Sequence, residues 1–391
     1  MKGVLLLVAF VALLAAAVPA RAADEQWLRY TSSPDYREIG YGSSYLPAVV
    51  LDAAPEGVSL PAFAGKSQTC AKWETPMVDA GFIYMALDGA DDKTVSTLYI
   101  DTDCDGSLAD EKPVKADNVG YGTQFGPIKV DFPGYDGPIA HHMSVLFNVY
   151  GETKSVSVST RGRYEGPVFI GGKEYYIALI DYDSNGAYND SSPDLTKTDF
   201  LVFKGDRSYP PAAPGKFLQV EGKLYQLEVS RDGAYVKVSS ADSVPMGSLV
   251  VSSDTKSISI GGENGVLTYA DLKGGALSVP AGSYGIAYRV IERKDNAGAK
   301  WQAFGFNRGE KFQPFVVPAG RSTTLDAGEP YKSTVTFTTG SDGAWNLSAN
   351  LNATTGERIA FTKNDATPAP VKARIKNADG SYDQTLDFKY G

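Results

Sequence analysis

Tyr175-Tyr176-Ile177-Ala178-Leu179-Ile180-Asp181-Tyr182-Asp183-Ser184-Asn185-Gly186-Ala187-Tyr188-Asn189-Asp190 runs from an apolar segment straight into an acidic loop. The apolar half is short and rich in β-branched and aromatic residues, which reads as a strand. Eighty residues earlier the chain does the same: Val95-Ser96-Thr97-Leu98-Tyr99-Ile100 leads into Asp101-Thr102-Asp103-Cys104-Asp105-Gly106-Ser107-Leu108-Ala109-Asp110-Glu111. The rest of the chain agrees with strands. Ser155-Val156-Ser157-Val158-Ser159, Tyr235-Val236-Lys237-Val238, Ser257-Ile258-Ser259-Ile260 and Ser333 to Thr338 alternate with period two, and Asp-Gly pairs at 88, 136, 232, 342 and 379 punctuate them as turns. No long segment with a 3.6-residue period follows the N-terminus. The expected fold class is mainly β, a large N-terminal sheet region with two strand-linked loops followed by one or two β-sandwich modules.

Both loops read D-x-D-x-[DN]-G-x-(apolar)-x-D. Alternating carboxylates aim several oxygens at one centre, and the glycine permits the sharp turn, an arrangement suited to Ca²⁺. An EF-hand is not expected, because strands precede both loops and position 12 is Lys112 or Ser192 instead of a bidentate Glu. The pattern resembles the D-x-D-x-D-G calcium loops carried on β scaffolds in extracellular proteins. That resemblance implies Asp101, Asp103, Asp105, the Ser107 carbonyl and Asp110 or Glu111 as ligands of a first ion. It implies Asp181, Asp183, Asn185, the Ala187 carbonyl and Asp190 for a second. The competing reading is an Asx-rich turn with solvated carboxylates. Mutual repulsion of so many acids within a few residues weighs against it.

Lys2, the apolar run Val4 to Val18 and Ala20-Arg21-Ala22 form a signal peptide over 1–22, so export to the extracellular space, cell surface or periplasm is expected. No later apolar stretch is long enough for a helical membrane span. Loss of Lys2 and Arg21 leaves 35 basic against 46 acidic residues, a net charge of −11. Such a balance argues against nucleic acid and suits divalent cations. In an oxidising compartment Cys70 and Cys104 are expected to form a disulfide, with two free thiols as the alternative.

A first β-rich domain is expected over 23–243, with a boundary near Ser243 to Gly247. Beyond it, Val279-Pro280-Ala281-Gly282-Ser283-Tyr284 and Val317-Pro318-Ala319-Gly320 resemble the turn motif of transthyretin-like and carboxypeptidase-regulatory-like sandwich domains, which implies a non-catalytic sandwich over 244–330. A small Ig-like module is expected over 331–391. Trp73-Glu74-Thr75-Pro76 together with the first loop resembles exported multi-domain β proteins of bacteria.

Catalytic signals are sparse. There is no G-x-S-x-G, H-E-x-x-H or phosphate-binding loop. His141 and His142 are adjacent, so on a strand they face opposite ways. The expected function is therefore a calcium-stabilised surface, matrix or periplasmic protein that binds a surface, glycan or protein ligand through its β modules. A carbohydrate-active hydrolase is the alternative, since its paired carboxylates leave no local motif. The 23 tyrosines allow stacking on sugars but also follow from strand propensity.

Overall fold

The computed structural model describes residues 25–32, 40–119, 122–207, 210–307, 313–339 and 345–388. The signal peptide expected over 1–22 lies outside the described residues. Regular secondary structure among the described residues is all strand apart from one short 3-10 turn at Leu195–Lys197.

Two short strands, β1 (Gln26–Trp27) and β2 (Arg29–Ser32), open the fold. Eight more follow: β3 (Leu46–Val50), β4 (Ser67–Glu74), β5 (Phe82–Gly89), β6 (Val95–Ile100), β7 (Val114–Val119), β8 (Gly122–Phe132), β9 (Ile139–Tyr150) and β10 (Thr153–Thr160). Each pairs antiparallel with its sequence neighbour, and β10 closes on β3 through Val156↔Ala48, Ser157↔Pro47 and Val158↔Leu46, making a barrel. The period-two pattern explains its filling. Val156 and Val158 point inward and are buried, and they meet Trp73, Met85, Phe125, Phe132 and Phe147 in one core. An eight-stranded barrel has an interior about wide enough for its own side chains.

The chain then builds β11 (Gly162–Ile170), β12 (Lys173–Ile180), β13 (Phe200–Phe203), β14 (Phe217–Val220), β15 (Lys223–Val229) and β16 (Tyr235–Ser240). These form a sandwich of two four-stranded sheets, β13-β12-β11-β2 and β1-β16-β15-β14. Leu28, Tyr164, Val168, Leu179, Tyr188, Leu227 and Val236 pack between them. The barrel is thus an insertion into the sandwich. Its entry and exit are tied by the β2–β11 ladder, Ser32↔Gly162 to Arg29↔Glu165.

A second sandwich begins at Met246. Met246–Val251 pairs antiparallel with Gly275–Pro280 and parallel with Ser322–Thr324, and this sheet packs against a larger one through Leu249, Ile258, Ile260, Val279 and Tyr284. The Pro-Ala-Gly-x-Tyr turn has a local reason. The Tyr284 ring is fully buried, and its hydroxyl donates to the Pro280 carbonyl (2.7 Å) while accepting from Asn264 Nδ2 (2.8 Å). The boundary expected at 331 falls inside a continuous sheet: Arg358–Lys363 pairs with Lys300–Phe306, and strands 345–352 and 332–339 extend from it. A buried ion pair, Arg289 Nε to Glu357 Oε1 at 2.7 Å, ties these strands to the sandwich. The hairpin Lys372–Lys376 with Asp383–Asp387 forms its own two-stranded sheet.

Candidate metal loops at the barrel mouth

In an antiparallel meander alternate connections share one end. The β6–β7 loop (101–113) and the β8–β9 turn (133–138) lie at the same mouth of the barrel. The second acidic loop, which leaves β12 of the sandwich, reaches into that mouth. Trp73 Nε1 donates to the Ser184 carbonyl (2.9 Å), Thr160 N–H to Ser184 Oγ (3.1 Å), and Ala187 belongs to the barrel core. The first loop meets the same rim, with Asp131 N–H donating to the Thr102 carbonyl (2.8 Å).

The two loops are built alike, bond for bond. At position 1, Asp101 accepts from the N–H of Asp105 (3.1 Å) and Gly106 (3.0 Å), and Asp181 accepts from the N–H of Asn185 (3.1 Å) and Gly186 (2.9 Å). Position 4 is left-handed in both, Cys104 at φ 62° and Ser184 at φ 61°, and so is the glycine at position 6, at 84° and 94°. The side chain at position 5 accepts from the N–H at position 7 (2.7 Å in the first loop, 2.8 Å in the second). Position 8, Leu108 or Tyr188, is buried, and its N–H donates to a neighbouring loop, at Ser59 or Arg231.

A further acid closes each loop on the N–H of position 2. In the first loop Glu111 binds Thr102 through both its N–H and its hydroxyl, the latter at 2.8 Å. In the second the equivalent is Asp199, which accepts from Tyr182 N–H (3.0 Å) and Asp190 N–H (2.8 Å). Asp199 lies outside the D-x-D motif and was not expected. The hairpin register shows why it belongs: Ile180 pairs with Phe200, so Asp181 and Asp199 face each other at the ends of adjacent strands. Asp110 is exposed, whereas Asp190 accepts from Asn185 Nδ2 (2.8 Å).

Among the described residues, two groups of carboxylates could hold a metal ion. Asp101, Asp103 and Asp105 place oxygens within 4.8 Å of one another, and so do Asp181, Asp183 and Asp199. The first group is largely open to solvent and the second largely buried. Burial pushes the Asp101 and Glu111 carboxyls upward, and their acidic neighbours add to it. In the second group the effect is stronger. Burial, and then the charge of Asp190, raises Asp183 to about 6. Burial and Asp183 hold Asp181 well above the carboxylate range, and burial with Asp181, Asp183 and Asp190 does the same to Asp199. No Lys or Arg pairs with these three among the described residues. Asp183 Oδ1 is buried without a hydrogen-bond partner there. A buried, uncompensated set of acids of this kind is what a cation relieves.

The expected Cys70–Cys104 disulfide is not formed; both thiols are free. The two residues lie on opposite sides of the barrel wall. Cys70 packs outside, with Ala86 and Leu108 under the segment holding Leu51, Val58 and Leu60. Cys104 packs on the barrel core and directs its thiol to the Asp131 carbonyl (3.8 Å). Burial and then the surrounding acids push the Cys104 thiol up to about 12, so it stays protonated. The donor set is therefore oxygen alone.

His141 and His142 face opposite ways, as adjacent strand residues must. His141 is fully buried against Trp73, Phe132 and Tyr188, and burial, with a lesser contribution from His142, lowers it to about 3. It is a neutral core residue and meets Thr160 Oγ1 (3.3 Å), which donates to Asp181 Oδ2 (2.6 Å). His142 lies outside, hydrogen-bonded to the Tyr30 hydroxyl (3.1 Å).

The chain matches no protein-family profile, no curated protein and no solved structure. No helix among the described residues is long and apolar enough to cross a membrane.

Proposed function

We propose that the protein is an exported, calcium-stabilised, multi-domain β protein that serves as a binding or structural component at a surface, in a matrix or in the periplasm. The observation that carries the reading is the second loop, where Asp181, Asp183 and Asp199 converge in a buried place without a basic partner among the described residues. An oxygen-only, loop-borne ligand set favours a hard cation over Zn²⁺ or Cu²⁺, and its flexible geometry favours Ca²⁺ over Mg²⁺. Extracellular sites of this type bind at ~10⁻⁴ to 10⁻³ M, adequate where Ca²⁺ is abundant.

The ion's role follows from the loop's position. Residues 184–187 fill the barrel mouth. Further along, Ser191 Oγ donates to the Gly262 carbonyl (2.6 Å), and Leu195 packs with Ala213, Val266 and Ala287. One loop therefore touches the barrel, the first sandwich and the second. Neutralising its carboxylates orders the junction of all three. The first loop, more exposed, would take a second and weaker ion. Thermal melts of the mature protein with Ca²⁺ and with excess chelator, alongside calorimetric titration, test the reading. A calcium-dependent rise in Tm with saturable binding heat is expected. Identical melts and no heat would overturn it.

A further inference from the structure

The last strands of the larger sheet of the second sandwich form a ribbon that stands off from it. Lys332–Thr339 pairs with Trp345–Asn352 along its whole length without a register shift, and the ribbon joins the sheet through the rung Asn352↔Arg358. All eight residues of Lys332–Thr339 are exposed. Among the described residues Trp345–Asn352 is its only ladder partner, so the strand is an open edge. A two-stranded ribbon is marginal in water by itself, and further strands are what stabilise one. Alternation gives the ribbon two unlike faces. Val335 and Phe337, 44% and 58% exposed, lie on one, across from Ala349 and Leu347, while Thr334, Thr336 and Thr338 occupy the other.

Soluble proteins blunt such edges with charges, prolines or bulges. From Ser333 to Thr339 this edge has no charge, no proline, no glycine and no bulge. The C-terminal hairpin shows the contrast, with Lys372, Arg374 and Lys376 on one strand and Asp383 and Asp387 on the other. The edge sequence also selects its partner. Residues directly opposite in an antiparallel pair share a face, so two copies of one strand pair about a residue that meets itself. Centred on Thr336, the rungs are Thr336↔Thr336 and, each made twice, Val335↔Phe337, Thr334↔Thr338 and Ser333↔Thr339. These are aromatic–β-branched and hydroxyl pairs, kinds that stabilise a sheet. Centred on Val335 or on Phe337 instead, the valine–phenylalanine rungs are lost, and the Val335 centre also brings Lys332 onto Thr338. With the centre at Thr336, Lys332 falls beyond the last of these rungs. The two copies of that lysine then stand about 26 Å apart at 3.3 Å per residue, past the screening length at physiological salt.

We propose that Lys332–Thr339 pairs antiparallel with the same strand of a second copy of this chain, about a two-fold axis at Thr336, so that the two ribbons join into one sheet. The pairing goes beyond the calcium reading and uses none of its ligands.

Sedimentation velocity of the mature protein, from micromolar to submillimolar concentration, tests it, and a monomer–dimer equilibrium is expected. Thr336→Lys sets two like charges face to face on the axis and gives up a 3.5 Å contact of the Thr336 hydroxyl with the Ser348 carbonyl. It should weaken the dimer about tenfold or more. Thr336→Glu should do the same alone, and an equal mixture of the two variants should restore the dimer, because a residue on the axis meets its own counterpart. Should either variant melt early, Thr336→Cys decides instead. Under mild oxidation it should link two chains through residue 336, mapped by mass spectrometry, while Thr334→Cys, off the axis, should not link to itself. A monomer at every concentration, which would leave the edge to a foreign strand, overturns the proposal. So does a dimer that Thr336→Lys leaves untouched, a mixture of the charged variants that fails to re-form it, or equal linking at 334 and 336.

Discussion

Asp183→Asn should change stability with opposite sign in chelator and in calcium. The reasoning starts from one carboxylate. Burial and the nearby Asp190 raise Asp183 from 3.8 to about 6. At neutral pH it is therefore ionised in the folded chain against its surroundings, which corresponds to about 3 kcal/mol of destabilisation when no cation is present. Asn has nearly the same shape and no charge. In chelator the variant should gain ~1–3 kcal/mol, the lower end allowing for a poorer fit of the amide to the Oδ2 contact with Asn185. In calcium the balance turns. A site saturated at a hundred times its dissociation constant contributes about 2.7 kcal/mol, and removing one of its ligands forfeits much of that. For a unit of this size 1 kcal/mol moves Tm by ~2–4 °C, so shifts of several degrees upward in chelator and downward in calcium are expected. Circular-dichroism melts of wild type and variant in both buffers at pH 7 read this directly. A shift of the same sign in both buffers, or none in either, would refute the assignment of Asp183 to a cation site.

The pH dependence follows from the same groups. A carboxyl raised in the folded state binds more protons there than in the unfolded chain, so cation-free protein should lose stability as pH rises from about 4 to about 6, and calcium should flatten that slope; melts in chelator across the range check it. Gly186→Ala should cost ~2–3 kcal/mol, since φ is +94° and a Cβ would stand 3.1 Å from both the Phe132 ring and Thr75 Oγ1, whereas Gly106→Ala, at φ +84° in open space, should cost only ~1–2 kcal/mol by urea denaturation. Reductant should leave Tm unchanged, and a thiol reagent at pH 8 should label Cys104 slowly until the protein is unfolded, when two thiols react; a mass shift showing a bridged pair would contradict the placement of the cysteines.

The strands were legible in the sequence because alternation and Asp-Gly turns are local. Val156 and Val158 could be assigned to a buried face from five residues. Closure of the barrel was not legible. It depends on β10 meeting β3 across more than a hundred residues, and a strand carries no mark of its distant partner. The grouping of Asp101, Asp103 and Asp105, and of Asp181 with Asp183, was legible from spacing, and the loops' common turn geometry follows from Asp at position 1 and Gly at position 6. Asp199 was not, because it enters through hairpin register and not through the motif. The cysteines misled for a related reason: compartment argues for pairing, but β4 alternation sends Cys70 outward while Cys104 turns to the core. The continuation of strands 332–363 into the second sandwich is likewise a matter of long-range pairing through Arg358–Lys363.

The insertion of the barrel between β2 and β11 has a mechanical consequence. A pull applied through the ends of the chain enters the first sandwich at β1 and leaves it after β16. The barrel hangs from Ser32 and Gly162, which are paired rungs of one ladder. Tension therefore passes across the Arg29–Glu165 to Ser32–Gly162 rungs and bypasses the loop of chain beyond them. The barrel bears no load until that ladder shears. A protein tethered at one end and stretched by whatever it holds would extend its C-terminal strands and strain its sandwiches first, with the barrel released last as a reserve of slack.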